Sequence, residues 1–141
     1  MSTANKQVVA EFISAMGEAD AGRMAACLAP DAIAVAKGFG KLSGVRERST
    51  MLGTCAAFRD IVPTGLRPTI TRLIAEGDDV VAEFEGDAER RNGKGYANQY
   101  CMIFSLEGGL IRQVNEYYCT LLADECMLPL LDELREELPW S

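Results

Sequence analysis

Three carboxylates stand at alternate positions in one short segment, Glu83, Glu85 and Asp87, and Tyr96, Asn98 and Tyr100 follow with the same period of two. On an extended chain that period places each set on one side. Carboxylates gathered in an apolar setting raise one another's pKa, because desolvation and like charge both disfavour ionisation. Glu85 and Asp87 could then act as base and acid for proton transfer beside a carbonyl, with the Tyr100 hydroxyl donating to the developing oxyanion. Asn98 and Asn115 could orient a ligand oxygen. A solvated strand face would carry the same spacing, so spacing alone leaves both readings open.

The composition narrows the chemistry further. There is no histidine among 141 residues, which removes Ser-His-Asp triads, Cys-His pairs and histidine-ligated zinc. Cys119 therefore has no imidazole to activate it and reads as a neutral thiol. Acids at i, i+2 and i+4 without other ligands make a poor hard-cation site, and Gly38-x-Gly40-x-x-x-Gly44 departs from dinucleotide-binding spacing, so neither a metal nor a cofactor is expected. A net charge of −7 and a pI near 4.6 argue against nucleic acid and anionic membranes as partners. Five cysteines without a C-x-x-C pair suit reduced thiols. With a polar start and no long apolar run, the expected location is cytoplasmic.

The elements that must hold these groups follow from periodicity. Val8, Val9, Phe12, Ile13 and Met16 share one face of a first helix over 5–18. Asp20 caps a short second helix, Pro30 stops it, and a strand follows from Asp31. Residues 37–44 read as a glycine-rich loop, and Val45 to Ile61 as a third helix. The period then changes to two over 66–76, 79–91, 96–107 and 110–118, with Gly77-Asp78, Asn92-Gly93 and Gly108-Gly109 as turns. Leu128, Leu131, Leu134 and Leu138 mark a C-terminal helical tail over 121–138, and Trp140 near the end has no evident assignment. The pattern predicts a single α+β domain spanning 1–141, with a core over 5–123, in which helices cover a curved antiparallel sheet.

Two-residue turns at Asn92-Gly93 and Gly108-Gly109 would pair Glu85 with Tyr100 and Tyr100 with Tyr117. That register collects Glu83, Glu85, Asp87, Tyr96, Asn98, Tyr100, Met102, Asn115, Tyr117 and Cys119 on one face. The opposite, small apolar face would be free for a contact between two sheets.

The order of elements, with Asp31-Ala after the second helix, Asn92-Gly-Lys-Gly-Tyr-Ala-Asn-Gln-Tyr, and Gly109-Leu-Ile-Arg-Gln-Val-Asn-Glu-Tyr, resembles the SnoaL-like, ketosteroid-isomerase-like branch of the NTF2-like superfamily. The resemblance implies a cone-shaped α+β barrel with a deep apolar pocket, commonly in a homodimer through the sheet. It favours the carboxylate face as the pocket, with Glu85, Tyr100 and Asp87 catalytic. Phe12, Met16, Glu83, Asn98, Met102, Asn115, Tyr117 and Cys119 would contact a small apolar ligand. It also places Cys119 where such cyclases carry an acid, and Phe12, about Ala36 and Tyr100 where steroid isomerases carry a tyrosine and two aspartates. The implied activity is isomerisation, cyclisation or dehydration of an apolar carbonyl compound, and the alternative is a noncatalytic ligand-binding or dimeric assembly protein.

Overall fold

The computed structural model describes residues 2–137, with side-chain surroundings for 3–133; Leu138, Trp140 and the side chain of Leu134 lie outside them. Helix α1 (Ser2–Gly17) presents Val9, Phe12 and Ile13, each at most 1% exposed. At its end Ala19 takes a left-handed turn (φ 54°), after which the Asp20 carboxylate accepts from the Arg23 N–H and starts α2 (Ala21–Cys27). Strand β1 (Leu28–Ala36) is followed by the loop 37–43, by β2 (Gly44–Glu47) and by α3 (Arg48–Ile61). Strand β2 occupies residues where the sequence pattern suggested helix; its four residues pair only with β1, Val35 opposite Val45.

Strands β3 (Thr69–Glu76), β4 (Asp79–Glu89), β5 (Gly95–Glu107) and β6 (Leu110–Tyr118) form the meander, and two further helices follow, α4 (Thr120–Cys126) and α5 (Leu128–Glu137). The tail is therefore broken at Met127, and Pro129 sits in the first turn of α5, where its missing N–H costs nothing. The six-stranded sheet runs β2-β1-β6-β5-β4-β3, antiparallel except where β1 and β6 run parallel. It curls around α1, whose Phe12 ring meets Phe104 edge-on at 5.4 Å. Phe84, Phe104, Ile111, Val80 and Val114 complete the core, each such side chain contributing roughly 1.5–3 kcal/mol of burial. No described helix is long and apolar enough to cross a membrane.

Both hairpin registers differ from expectation by one residue. Between β4 and β5 the Arg90 N–H donates to Lys94 O at 2.8 Å and the Gly93 N–H to Arg90 O at 2.9 Å. The loop is thus three residues, Arg91-Asn92-Gly93, closed by Gly93 at φ 81°, a tight turn followed by a left-handed residue. Phe84 consequently faces Tyr100, and Glu85 faces Gln99. Between β5 and β6 the Gly108-Gly109 turn pairs Leu106 with Ile111, but Ser105 then pairs with Gln113, leaving Arg112 as a bulge. Beyond it Met102 faces Glu116, and Tyr100 faces Tyr118. A slip of one residue inverts every side chain of a strand, so β4 and most of β6 turn over relative to β5.

Candidate functional site

The concave face carries Ala82, Phe84, Gly86 and Ala88 from β4, Tyr96, Asn98, Tyr100 and Met102 from β5, and Val114, Glu116 and Tyr118 from β6. Between this face and the helices lies a cavity of about 150 Å³. Helices α1 and α3 supply Phe12, Met16, Met51 and Phe58, Arg46 enters from β2, and Ala123, Met127 and Leu131 close the space from α4 and α5. Five of the six methionines, Met16, Met24, Met51, Met102 and Met127, line it.

Of the residues singled out in the sequence, Phe12, Met16, Tyr96, Tyr100 and Met102 meet at this cavity. The carboxylates Glu83, Glu85 and Asp87 do not: all three are exposed on the convex face, and Glu85 accepts from the Gln99 amide at 3.3 Å. The three-residue turn is the reason. Asn115 and Tyr117 are turned to the same convex face by the Arg112 bulge; Asn115 accepts from Gln113, and Tyr117 is 43% exposed. Cys119 is exposed at the N-cap of α4 and is not part of the cavity wall. Asn98 is buried, but its amide is already engaged. It donates to the Tyr96 hydroxyl (2.8 Å) and Cys119 O (3.3 Å), while its oxygen accepts from the N–H groups of Gln99 and Cys119. It pins the end of β6 to β5.

The carboxylate the cavity does contain is Glu116. Burial pushes its pKa above the ordinary 4.5, and the Arg46 charge offsets part of that rise. Among the described residues no hydrogen bond or ion pair holds this carboxyl group, whereas Arg46 donates to Leu42 O in the loop beside β2. The tyrosines share the wall. Tyr100 stacks on Phe84 at 4.8 Å and 9°, and tilts against Tyr118 at 6.1 Å. Burial raises the pKa of both, that of Tyr118 to about 12, so each keeps its proton near neutrality. The Cys55 thiol, in the same wall, is also pushed up by burial and is a poor nucleophile. Among the described residues no group of three or more Cys, Asp or Glu side chains is placed to hold a metal ion.

Glu116 was legible only as part of the Glu-Tyr pair on β6. With a two-residue hairpin and no bulge it would face outward; only the bulge brings it inside. What the site offers chemically is one carboxyl group whose pKa burial raises, one guanidinium, and tyrosine hydroxyls that can donate, all within apolar walls.

The sequence profile of the SnoaL-like domain family matches residues 9–114. A search of curated proteins returns no match. Among solved structures, Bal32a from a soil-derived mobile gene cassette superposes with a TM-score of 0.77 at 16% identity, covering 89% of this chain and 97% of its own. An NTF2-like protein of unknown function from Burkholderia pseudomallei gives 0.75 at 17%, covering 88% and 97%. A candidate SnoaL-like polyketide cyclase from Jannaschia sp. gives 0.74 at 14%, covering 89% and 92%. At these identities the likeness is one of fold.

Proposed function

The chain belongs to the SnoaL-like family, and on that premise we propose that it is a small-molecule enzyme that moves a proton within an apolar carbonyl compound without a cofactor. Glu116, a carboxyl group whose pKa burial raises inside an apolar cavity, carries this reading. As a carboxylate, Glu116 takes the proton from a carbon beside the carbonyl and becomes the acid, while the electron pair moves onto oxygen as an enolate. Tyr100 or Tyr118, protonated at neutral pH, donates a hydrogen bond to that oxygen, and the positive charge of Arg46 in the same wall favours it. Returning the proton to a different carbon completes an isomerisation; expelling a neighbouring hydroxyl as water completes a dehydration. Near-neutral pH suits a carboxyl group whose pKa lies above its usual range.

The test is hydrogen–deuterium exchange of a panel of cyclic ketones in deuterated buffer, followed by NMR. The native protein should accelerate exchange at the carbon beside the carbonyl, and Glu116→Gln should lose about 100-fold or more of that rate. Exchange at full rate in Glu116→Gln refutes the assignment.

A second reading, a dimeric assembly or ligand-binding protein, has its own observation. Across the convex face Ile74, Val81, Ile103, Asn115, Val35 and Val45 pair in one row through all six strands, with Ile74 49% and Val45 67% exposed. We propose that this row is the homodimer contact, sheet against sheet. Ile103→Lys should then yield a monomer by sedimentation velocity; an unchanged sedimentation coefficient refutes the contact.

A further inference from the structure

We infer that the ligand of the cavity is an uncharged molecule with a single ring, and that Met127 on the C-terminal helices sets this limit. The inference rests on the small-molecule reading of the cavity, but not on Glu116 acting as the proton carrier. A cavity of about 150 Å³ with apolar walls holds one benzene-sized ring. Its aromatic side walls are held in place. Tyr100 is held between Phe84 and Tyr118, and Phe12 is held by Phe104, so neither ring can swing aside for a longer guest without losing its partner.

The end wall is different, because α4 and α5 supply it. They are anchored on their outer side: the Lys41 N–H donates to both oxygens of Asp124 (3.1 and 3.0 Å), and Arg90 Nη1 donates to Cys126 O at 3.2 Å. Thr120 presses so closely on the loop that a Cβ on Gly40 would lie 2.8 Å from the Thr120 Cβ. Leu130 and Leu131 pack with Ile61, Val62 and Leu66 in a second apolar cluster. With the helices fixed in this way, the reach of the cavity is decided by the flexible thioether of Met127, which is 3% exposed. Thioether walls also suit an unsaturated ring, since sulfur meets ring edges favourably. The charge follows from the two ionisable side chains of opposite sign, Glu116 and Arg46. They balance each other when both are charged, so a ligand ion would be buried without compensation.

Calorimetric titration with acetophenone, 1-acetonaphthone and benzoate tests this, the first two carrying the same carbonyl on one or two fused rings. The native protein should bind acetophenone at least about tenfold more tightly than either of the others. Met127→Ala should bring 1-acetonaphthone within about threefold of acetophenone, and Met127→Leu, which keeps the volume, should retain the native preference. Met127→Val serves the same purpose if Met127→Ala does not fold. Equal binding of one and two rings by the native protein, tighter binding of benzoate, no binding of any probe, or a preference unmoved in the shortened variants would each overturn the inference. Repeating the titration with Glu116→Gln separates the two claims, because a retained one-ring preference upholds the ligand class, whereas proton exchange at full rate in that variant refutes only the catalytic role.

Discussion

Replacing Glu116 by Gln keeps the shape of the side chain and removes its ability to ionise, so the variant isolates what the cavity does to charge. The folded pKa of Glu116 is raised from 4.5, so the folded state holds a proton that the unfolded chain releases. Below about pH 4 the carboxyl group is neutral in both states, and the native protein and Glu116→Gln should agree within about 0.5 kcal/mol. As the pH rises through 4.5 the unfolded chain ionises first, and native stability falls relative to the variant. One proton bounds that slope at about 1.4 kcal/mol per pH unit. The fall ends when the folded carboxyl group also ionises, and the difference is flat beyond. Arg46, the charged group that opposes the rise, brings that end point to lower pH; Arg46→Met should extend it. Urea titrations of the native and Gln proteins at half-unit steps from pH 3.5 to about 8 measure the difference directly, and contributions from all other carboxylates cancel. Two parallel curves across that range would mean that Glu116 is solvated in solution and that the cavity does not exist as described.

Asn98→Ala should cost about 2–3 kcal/mol in urea unfolding, because it takes one hydrogen bond from the buried Tyr96 hydroxyl and leaves the Cys119 N–H without its side-chain partner. Gly65→Ala should lower the melting temperature by about 5 °C or more: Gly65 sits at φ +75°, and a Cβ there would lie 2.3 Å from Gly17 O. Glu85→Gln combined with Asp87→Asn should leave stability within about 0.5 kcal/mol and ligand affinity unchanged, since both side chains are on the convex face; a large loss in either measurement would return those acids to the site.

The helices and the four long strands are legible in the sequence because each depends on a local period, 3.6 over Val9, Phe12 and Ile13, or two over Ala82, Phe84 and Gly86. The family resemblance added the cone and its pocket. Which residues line that pocket depended on something more delicate, the pairing between strands. Asn92-Gly93 is a strong two-residue hairpin signal, yet the chain takes Arg91 into the turn as well. Nothing local to Arg112 marks it as a bulge. These two choices decide whether Glu85 or Glu116 faces the helices, and both are made by tertiary packing. Phe84 gains a buried place against Tyr100 only in the observed register, and three acids stay in water only in that register. The middle strand, β5, keeps its expected face because the two slips lie on either side of it, so Tyr100 and Met102 face the cavity while Glu85 and Asn115 face away from it. Strand β2 escaped notice because four residues, three of them exposed, carry too little pattern to read.

The concentration of methionine around the cavity has a practical consequence. Apart from Met1, every methionine of the chain lines the same cavity. Protein labelled with carbon-13 only at methionine methyls would therefore give a spectrum of very few lines, nearly all of them reporters on one chamber. Met16 and Met24 would watch the first two helices, Met51 the third, Met102 the sheet, and Met127 the closing helix. A guest entering would move these lines together, whereas a molecule resting on the convex sheet would leave them still.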